Sequence, residues 1–253
     1  MSFFEQNHIN QIKLEFALIN SRYINLSIKL QKLHNSLKID EAKEYLTHGV
    51  MRRMGIIKRS IENVFTIFPI ERIKLLSMDE LRDVDINLHA FYINIFGLLD
   101  NMAWVFIHEK QLTAEISKMS VGLYKKKMQK YLMEEFRHYL NSERMKKWHT
   151  EYLKNYRDAL SHRIPLYVPP KTLTPEQASQ VEQIENKIAD CWDPLDLDMI
   201  EKLHKEHDSI GDICFLIKHA FSESKSIVLH AQLIADFNTI EEIVERYCEM
   251  FLK

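Results

Sequence analysis

The chain is expected to fold as an all-α helical bundle, and three observations carry that expectation. Only 5 Gly and 6 Pro punctuate 253 residues, so few backbone breakers interrupt it. Apolar residues recur every three or four positions over long stretches, and no lengthy run alternates as a strand would. At 46% apolar and 28% charged, the composition is that of a chain able to bury a sizeable core.

The first helix is expected over 9–37, where Ile12, Phe16, Ile19, Tyr23, Leu26, Leu30, Leu33 and Leu37 share helical spacing. The second, over 41–68, turns Tyr45, Val50, Met54, Ile57, Ile61, Val64 and Phe68 inward and ends at Pro69. Its Arg52, Arg53, Lys58 and Arg59 read as a solvated face. Ser77-Met78-Asp79-Glu80 is a capping box that opens a helix reaching His108. That helix is apolar nearly all round, so it belongs in the middle of a bundle. Asn94, Asp100 and Asn101 interrupt its most apolar part, which reads as buried rather than membrane-spanning. One narrow stripe of Asn87, Asn94, Gly97, Asn101 and His108 suits close helix approach and interhelical hydrogen bonds. Asp100 lies off the stripe, between Phe96 and Trp104, where a carboxylate needs a partner.

A helix over 121–140 opens with Lys125, Lys126 and Lys127. The next runs from a cap at Asn141 or Ser142 to His162 or Arg163, because Pro165 disfavours the helical conformation at Ile164. Residues 164–170 are extended or polyproline-like. Thr174 caps a further helix, with Pro175 at its first position and Gln177 completing a capping box; Cys191-Trp192-Asp193-Pro194 ends it. The remainder reads as helices over 198–205, 210–221 and 224–253, with Asn238-Thr239-Ile240-Glu241 as a break point in the last. Residues 1–76 form an N-terminal helical extension, a long helix pair, and 77–253 the main bundle, together one compact domain without repeats.

The net charge of −2 gives no global basic field, so a polyanion would need a local patch. Three scattered cysteines without CxxC spacing indicate a reducing compartment. Met1-Ser2-Phe3-Phe4-Glu5 does not read as a signal peptide, and the expected location is cytoplasmic, with no membrane contact. No P-loop, GxGxxG or GxSxG is present. Glu-x-x-His occurs at Glu5/His8, Glu135/His138 and Glu201/His204, without the inward-facing partner glutamates a di-iron bundle requires, so no metal or cofactor is expected.

The most reactive chemistry sits in Tyr156-Arg157-Asp158-Ala159-Leu160-Ser161-His162-Arg163-Ile164-Pro165. On a helical wheel Trp148, Tyr152, Leu153, Ala159 and Leu160 cluster around Tyr156, leaving Arg157, Asp158, Ser161 and His162 off the apolar face. Asp158 and His162 are i,i+4 neighbours, placed for the carboxylate to orient the imidazole. Arg157 stands within reach of a phosphate that His162 also touches. Arg144-Met145-Lys146-Lys147-Trp148-His149 repeats the Arg-x4-His spacing with Met145 in place of a polar residue, and is set aside.

Arg157, Asp158 and His162 resemble the HEPN superfamily motif: Arg, a polar Asn, Asp or His, three residues, then His. HEPN proteins are all-helical, and many are metal-independent RNases. The resemblance implies a HEPN-like bundle, here with additional N-terminal helices, that forms a homodimer and joins two motifs in one cleft. It implies that His162 transfers protons and Arg157 stabilises the phosphate, while the RNA 2′-hydroxyl attacks to leave a cyclic phosphate. It also implies an acidic supporter for the arginine on the preceding core helix, Asp100 with Asn101 in reserve. Ser161 and Tyr167 would line the cleft, and Lys125, Lys126, Lys127 and Arg163 would contact RNA. The implied roles are toxin or phage defence, with an antitoxin or nucleotidyltransferase partner. The alternative is a non-catalytic HEPN-like module that binds nucleotide, RNA or protein.

Overall fold

The computed structural model describes residues 4–191, 196–219 and 226–252. Helix α1 (Gln6–Ser36) follows from the expected apolar repeat and buries Ile19, Leu26, Leu30 and Leu33. Arg22 pairs with Glu241 and Lys29 with Glu245, tying α1 to the C-terminal helix. Next, α2 (Asp40–Glu44), a π-helical segment (Tyr45–Met51) and α3 (Arg52–Ile67) run on as one helix until Phe68 and Pro69. The wider π turn was not expected from the periodicity. It accommodates an extra residue and re-aims the side chains on it.

α3 lies along α4 (Met78–Glu109), the longest helix. The Ser77 hydroxyl accepts from the Glu80 N–H at 3.2 Å, and the Glu80 carboxylate takes the Ser77 N–H at 2.8 Å, so the capping box forms. By length and composition α4 could cross a membrane, but Leu88, Phe91, Tyr92, Ile95, Leu98 and Met102 are fully buried in the protein core.

The single helix expected over 121–140 is broken. A 3-10 turn (Lys118–Ser120) precedes Gly122, whose φ of 142° lies outside helical space. Only then come α5 (Lys126–Gln129) and α6 (Glu134–Leu140). Leu123, Met128, Leu132, Phe136 and Leu140 are all buried, so the apolar spacing reflects a chain folded over the core in short turns. From the Ser142 cap, α7 (Glu143–Lys146), a second π segment (Lys147–Leu153) and α8 (Lys154–His162) form one further helix. It stops at His162 with Arg163 extended, as Pro165 requires.

Residues after α8 are extended, and their backbone pairs at Tyr167 with Lys218 and at Thr172 with Asp212. α9 (Pro175–Asp190), with its Thr174–Gln177 capping box, packs on α10 (Leu197–Ser209), which outruns the expected 198–205. Val181, Ile184, Ile200 and Leu203 are the buried residues of this pair. The helix expected over 210–221 does not form. As far as His219 the segment is extended, and β1 (Leu216–Ile217) pairs antiparallel with β2 (Ile227–Val228). Ile213 to Ile217 is an apolar run too short to reveal a period, and the bridges that flank it reach back to Tyr167 and Thr172, far away in sequence. The element ends expected at Trp192-Asp193-Pro194, Phe221, Ser224 and Lys253 lie outside the described residues. α11 (Leu229–Leu252) continues through the expected break, with the Thr239 hydroxyl turned back to the Ala235 carbonyl.

One buried cluster extends in sequence from Ile19 to Cys248, and α1, α3, α4 and α11 all contribute to it. Beside it Asp236 of α11 is completely buried. Its carboxylate accepts from Trp148 Nε1 at 2.8 Å, the Tyr152 hydroxyl at 2.6 Å, Gln232 Nε2 at 3.0 Å and the Tyr92 hydroxyl at 3.3 Å. Burial pushes the carboxyl up to about 6, against the pull of those four donors. Asp236→Ala would strand an indole, two phenols and an amide without their acceptor. Urea denaturation should show a loss of about 3 kcal/mol, whereas a loss below roughly 1 kcal/mol would mean the donors find other partners.

Candidate functional site

α8 buries Tyr156 and Ala159, which leaves Arg157 and Asp158 half-buried beside that face and puts Ser161, His162 and Arg163 on the exposed helix end. The Arg157 guanidinium lies over the Phe96 ring, 4.4 Å from its centroid, in cation–π geometry. Its Nε is 3.1 Å from Asp158 Oδ1, yet the N–H is not directed at that oxygen. The contact is therefore ionic and leaves Nε without a hydrogen bond. Asp158 is engaged with Arg157, and among the described residues no hydrogen bond joins it to His162.

Asp100 lies one α4 turn beyond Phe96, half-buried. Burial raises its carboxyl; the charge of Arg157 opposes this most strongly, then Lys125, then Arg53. Ring and carboxylate on α4 thus flank the same guanidinium, Phe96 by contact and Asp100 by its field. Lys125 is the N-cap of α5, while Lys126 and Lys127 are exposed on its first turn. Asn101 is directed elsewhere: its Oδ1 accepts from Arg53 Nε at 2.8 Å, and Asn94 Oδ1 accepts from Arg53 Nη1 at 3.0 Å. Arg53 is thus half-buried and directed at α4, unlike the exposed Arg52 and Arg59. The other asparagine of the stripe, Asn87, accepts from Asn63 at 2.9 Å. Arg163 Nη2 donates to the Asn155 carbonyl at 3.1 Å, and the Tyr167 backbone is held in its pairing with Lys218.

Two residues beside the motif escape a reading of the sequence. His149 stacks on Tyr124 with ring centroids 3.7 Å apart and planes 9° apart, and faces Phe96 at 5.9 Å. Arg157 and His149 therefore share one aromatic ring. Nδ1 of His149 and the Tyr124 hydroxyl are buried without hydrogen bonds among the described residues. Burial pushes the imidazole down to about 4, and the positive charges of Lys154, Arg157 and Lys125 push the same way. His149 is consequently neutral near pH 7. Its spacing from Arg144 was the only available signal, and Arg144 itself turns away to Glu242. The π turn that carries His149 is what aims it at Phe96.

The arrangement offers a half-buried arginine between two carboxylates, Asp158 in ionic contact and Asp100 nearby, with Lys125 acting on Asp100 and the neutral imidazole of His149 on the far side of the shared ring. That combination suits a bound phosphate. Among the described residues no three His, Cys, Asp or Glu side chains converge as metal ligands, and Glu135/His138 and Glu201/His204 lie on exposed faces. No protein-family model, curated protein or solved structure matches the chain.

His149 ties this site to pH. Its folded pKa is depressed, so the unfolded chain takes up a proton near 6.5 that the folded chain refuses until about 4. Stability from the neutral ring is present above pH 6.5 and lost as pH falls towards 4. His149→Phe keeps the stacking surface but cannot titrate. Denaturation at pH 7.5 and 4.5 should give a stability difference between wild type and variant that favours wild type more at 7.5. An equal difference at both values would show that the ring does not titrate differently in the fold.

Proposed function

We propose that the chain is a HEPN-type, metal-independent endoribonuclease that works as a cytoplasmic homodimer. The observation that carries this reading is Arg157: laid on Phe96 beside Asp100, with Nε buried against Asp158 and the guanidinium half-exposed, five residues before an exposed His162. A guanidinium fixed by a ring and a nearby charge keeps its outer N–H groups for a phosphate. In the proposed reaction His162 removes the 2′-hydroxyl proton and O2′ attacks phosphorus. The P–O5′ bond breaks, leaving a 2′,3′-cyclic phosphate, and the departing O5′ receives a proton. Two copies of the motif in a shared cleft supply the base and the acid. Arg157 stabilises the charge on the phosphorane oxygens. Asp158 braces Arg157, and Lys125 draws the strand in.

The pairing of Asp158 with Arg157 favours a second reading, a module that binds an RNA phosphate without cleaving it. Incubation of a mixed RNA with EDTA separates the two. The nuclease reading expects cyclic-phosphate ends from wild type and a loss of about a hundredfold or more in His162→Ala. Equal, negligible cleavage by both proteins would sink it. Sedimentation of the full chain should give twice the monomer mass; a monomer at micromolar concentration would contradict the shared cleft.

A further inference from the structure

Across α4 from Arg157 a second arginine is seated with equal care. Arg53 of α3 lies over Gly97, where an added Cβ would come within 2.5 Å of its Cζ. The backbone of α4 is bare there, and the guanidinium occupies the vacated space. Gly49 does the same for Asn101, whose side chain would meet a Cβ at 2.7 Å. Asn94 and Asn101 hold Arg53 through neutral amide oxygens. Among the described residues no carboxylate comes within ion-pair distance of it. An arginine used only to join two helices is satisfied most strongly by a carboxylate. Two amides fix its direction and leave its charge unspent.

Arg53 opens into a cleft of about 560 Å³ whose rim includes Arg52, His48, Tyr45 and a single carboxylate, Glu44. Tyr45 also walls an adjoining cleft of about 540 Å³ with Trp104 and His108. There its ring is nearly parallel to both, 5.6 Å from Trp104 at 19° and 5.1 Å from His108 at 20°. A fixed cation beside a half-exposed aromatic group is the pairing that single-stranded nucleic acids use, phosphate on one and base on the other. Tyr45, His48 and Gly49 all belong to the first π segment, which turns them together towards α4.

We propose that this is a second nucleotide subsite: Arg53 takes a phosphate, and the Tyr45–Trp104–His108 rings take the adjacent base. Its continuity with Arg157 along one RNA strand rests on the ribonuclease reading, while the subsite itself does not. A nucleoside phosphate could arrive as RNA or as a free mononucleotide. Binding to the full chain is measured by fluorescence anisotropy with a short 2′-O-methyl RNA, which cannot be cleaved by 2′-hydroxyl attack, and by competition with AMP. Arg53→Gln and Tyr45→Leu should each weaken binding about tenfold. Gly97→Ala should do likewise by displacing the guanidinium while keeping its charge. Arg59→Gln, which removes an exposed charge from the same helix, should bind like wild type. Loss of RNA binding with no AMP competition identifies the strand as ligand, and loss of both identifies the nucleoside phosphate. The proposal is overturned if wild type binds neither, or if Tyr45→Leu and Gly97→Ala both stay within twofold of wild type. The latter two decide the matter if Arg53→Gln fails to fold. Cleavage of unmodified RNA is a separate readout, so the two readings can fail independently.

Discussion

Asp236 is the contact on which the geometry of the motif helix depends. A buried carboxylate is costly unless its charge is met by hydrogen bonds, and here four donors converge on it. Two of them, Trp148 and Tyr152, lie in the π segment just before α8; a third, Tyr92, lies on α4 one turn before Phe96. The network therefore fixes three helices at one point. Between Trp148 and Tyr152 sits His149, which is left to face the other way, onto Tyr124 and Phe96. Tyr156 packs edge-on against Tyr92 in the next turn, so Arg157 follows from an already anchored backbone. The polar interior thus positions the candidate chemistry without taking part in it.

α4 acts as a floor with an arginine on each flank. On one side Arg157 rests on Phe96, and on the other Arg53 rests over Gly97 between two asparagines. Asp100 feels both charges and remains in an environment that favours protonation. A chain whose formal charge is only −2 can in this way set two arginines against a single helix. Total charge says little about such a groove, because surface pairs such as Lys147–Glu143 and Lys205–Glu201 cancel elsewhere.

What was legible in the sequence was local chemistry. Ser77, Thr174 and Pro165 each determine an element boundary through their own hydrogen bonds or ring, and each boundary falls where it was expected. The asparagine stripe on α4 was legible as a meeting place for another helix. Its partner was not, since Arg53 reads as one more charge on a polar face until α3 is laid down beside it. The extended run around Phe215 is illegible for a related reason: the residues that bracket it, Asp212 and Lys218, pair with Thr172 and Tyr167, which are remote in the chain. Asp236 gives no local sign either. Nothing around it in α11 tells of two phenols and an indole arriving from other helices. The π turns fall outside any fixed-period reading; the first lines the Arg53 cleft, and the second carries His149 and two of the donors to Asp236.

Those two turns have a mechanical meaning. A π turn is a slip joint: the helix on either side keeps its own phase, and the extra residue is absorbed between them. Ala42 before the joint and Met54 after it both stay in the core, so Tyr45 and His48 are released from that periodicity and can vary without rotating either half. Removing one residue from the joint would restore a continuous α turn and leave Ala42 and Met54 within about 20° of one face, so the core contacts on either side would persist while the side chains within the joint would be re-aimed. The direction of Tyr45 and His48 therefore hangs on the one extra residue, and the core packing of the flanking helices does not.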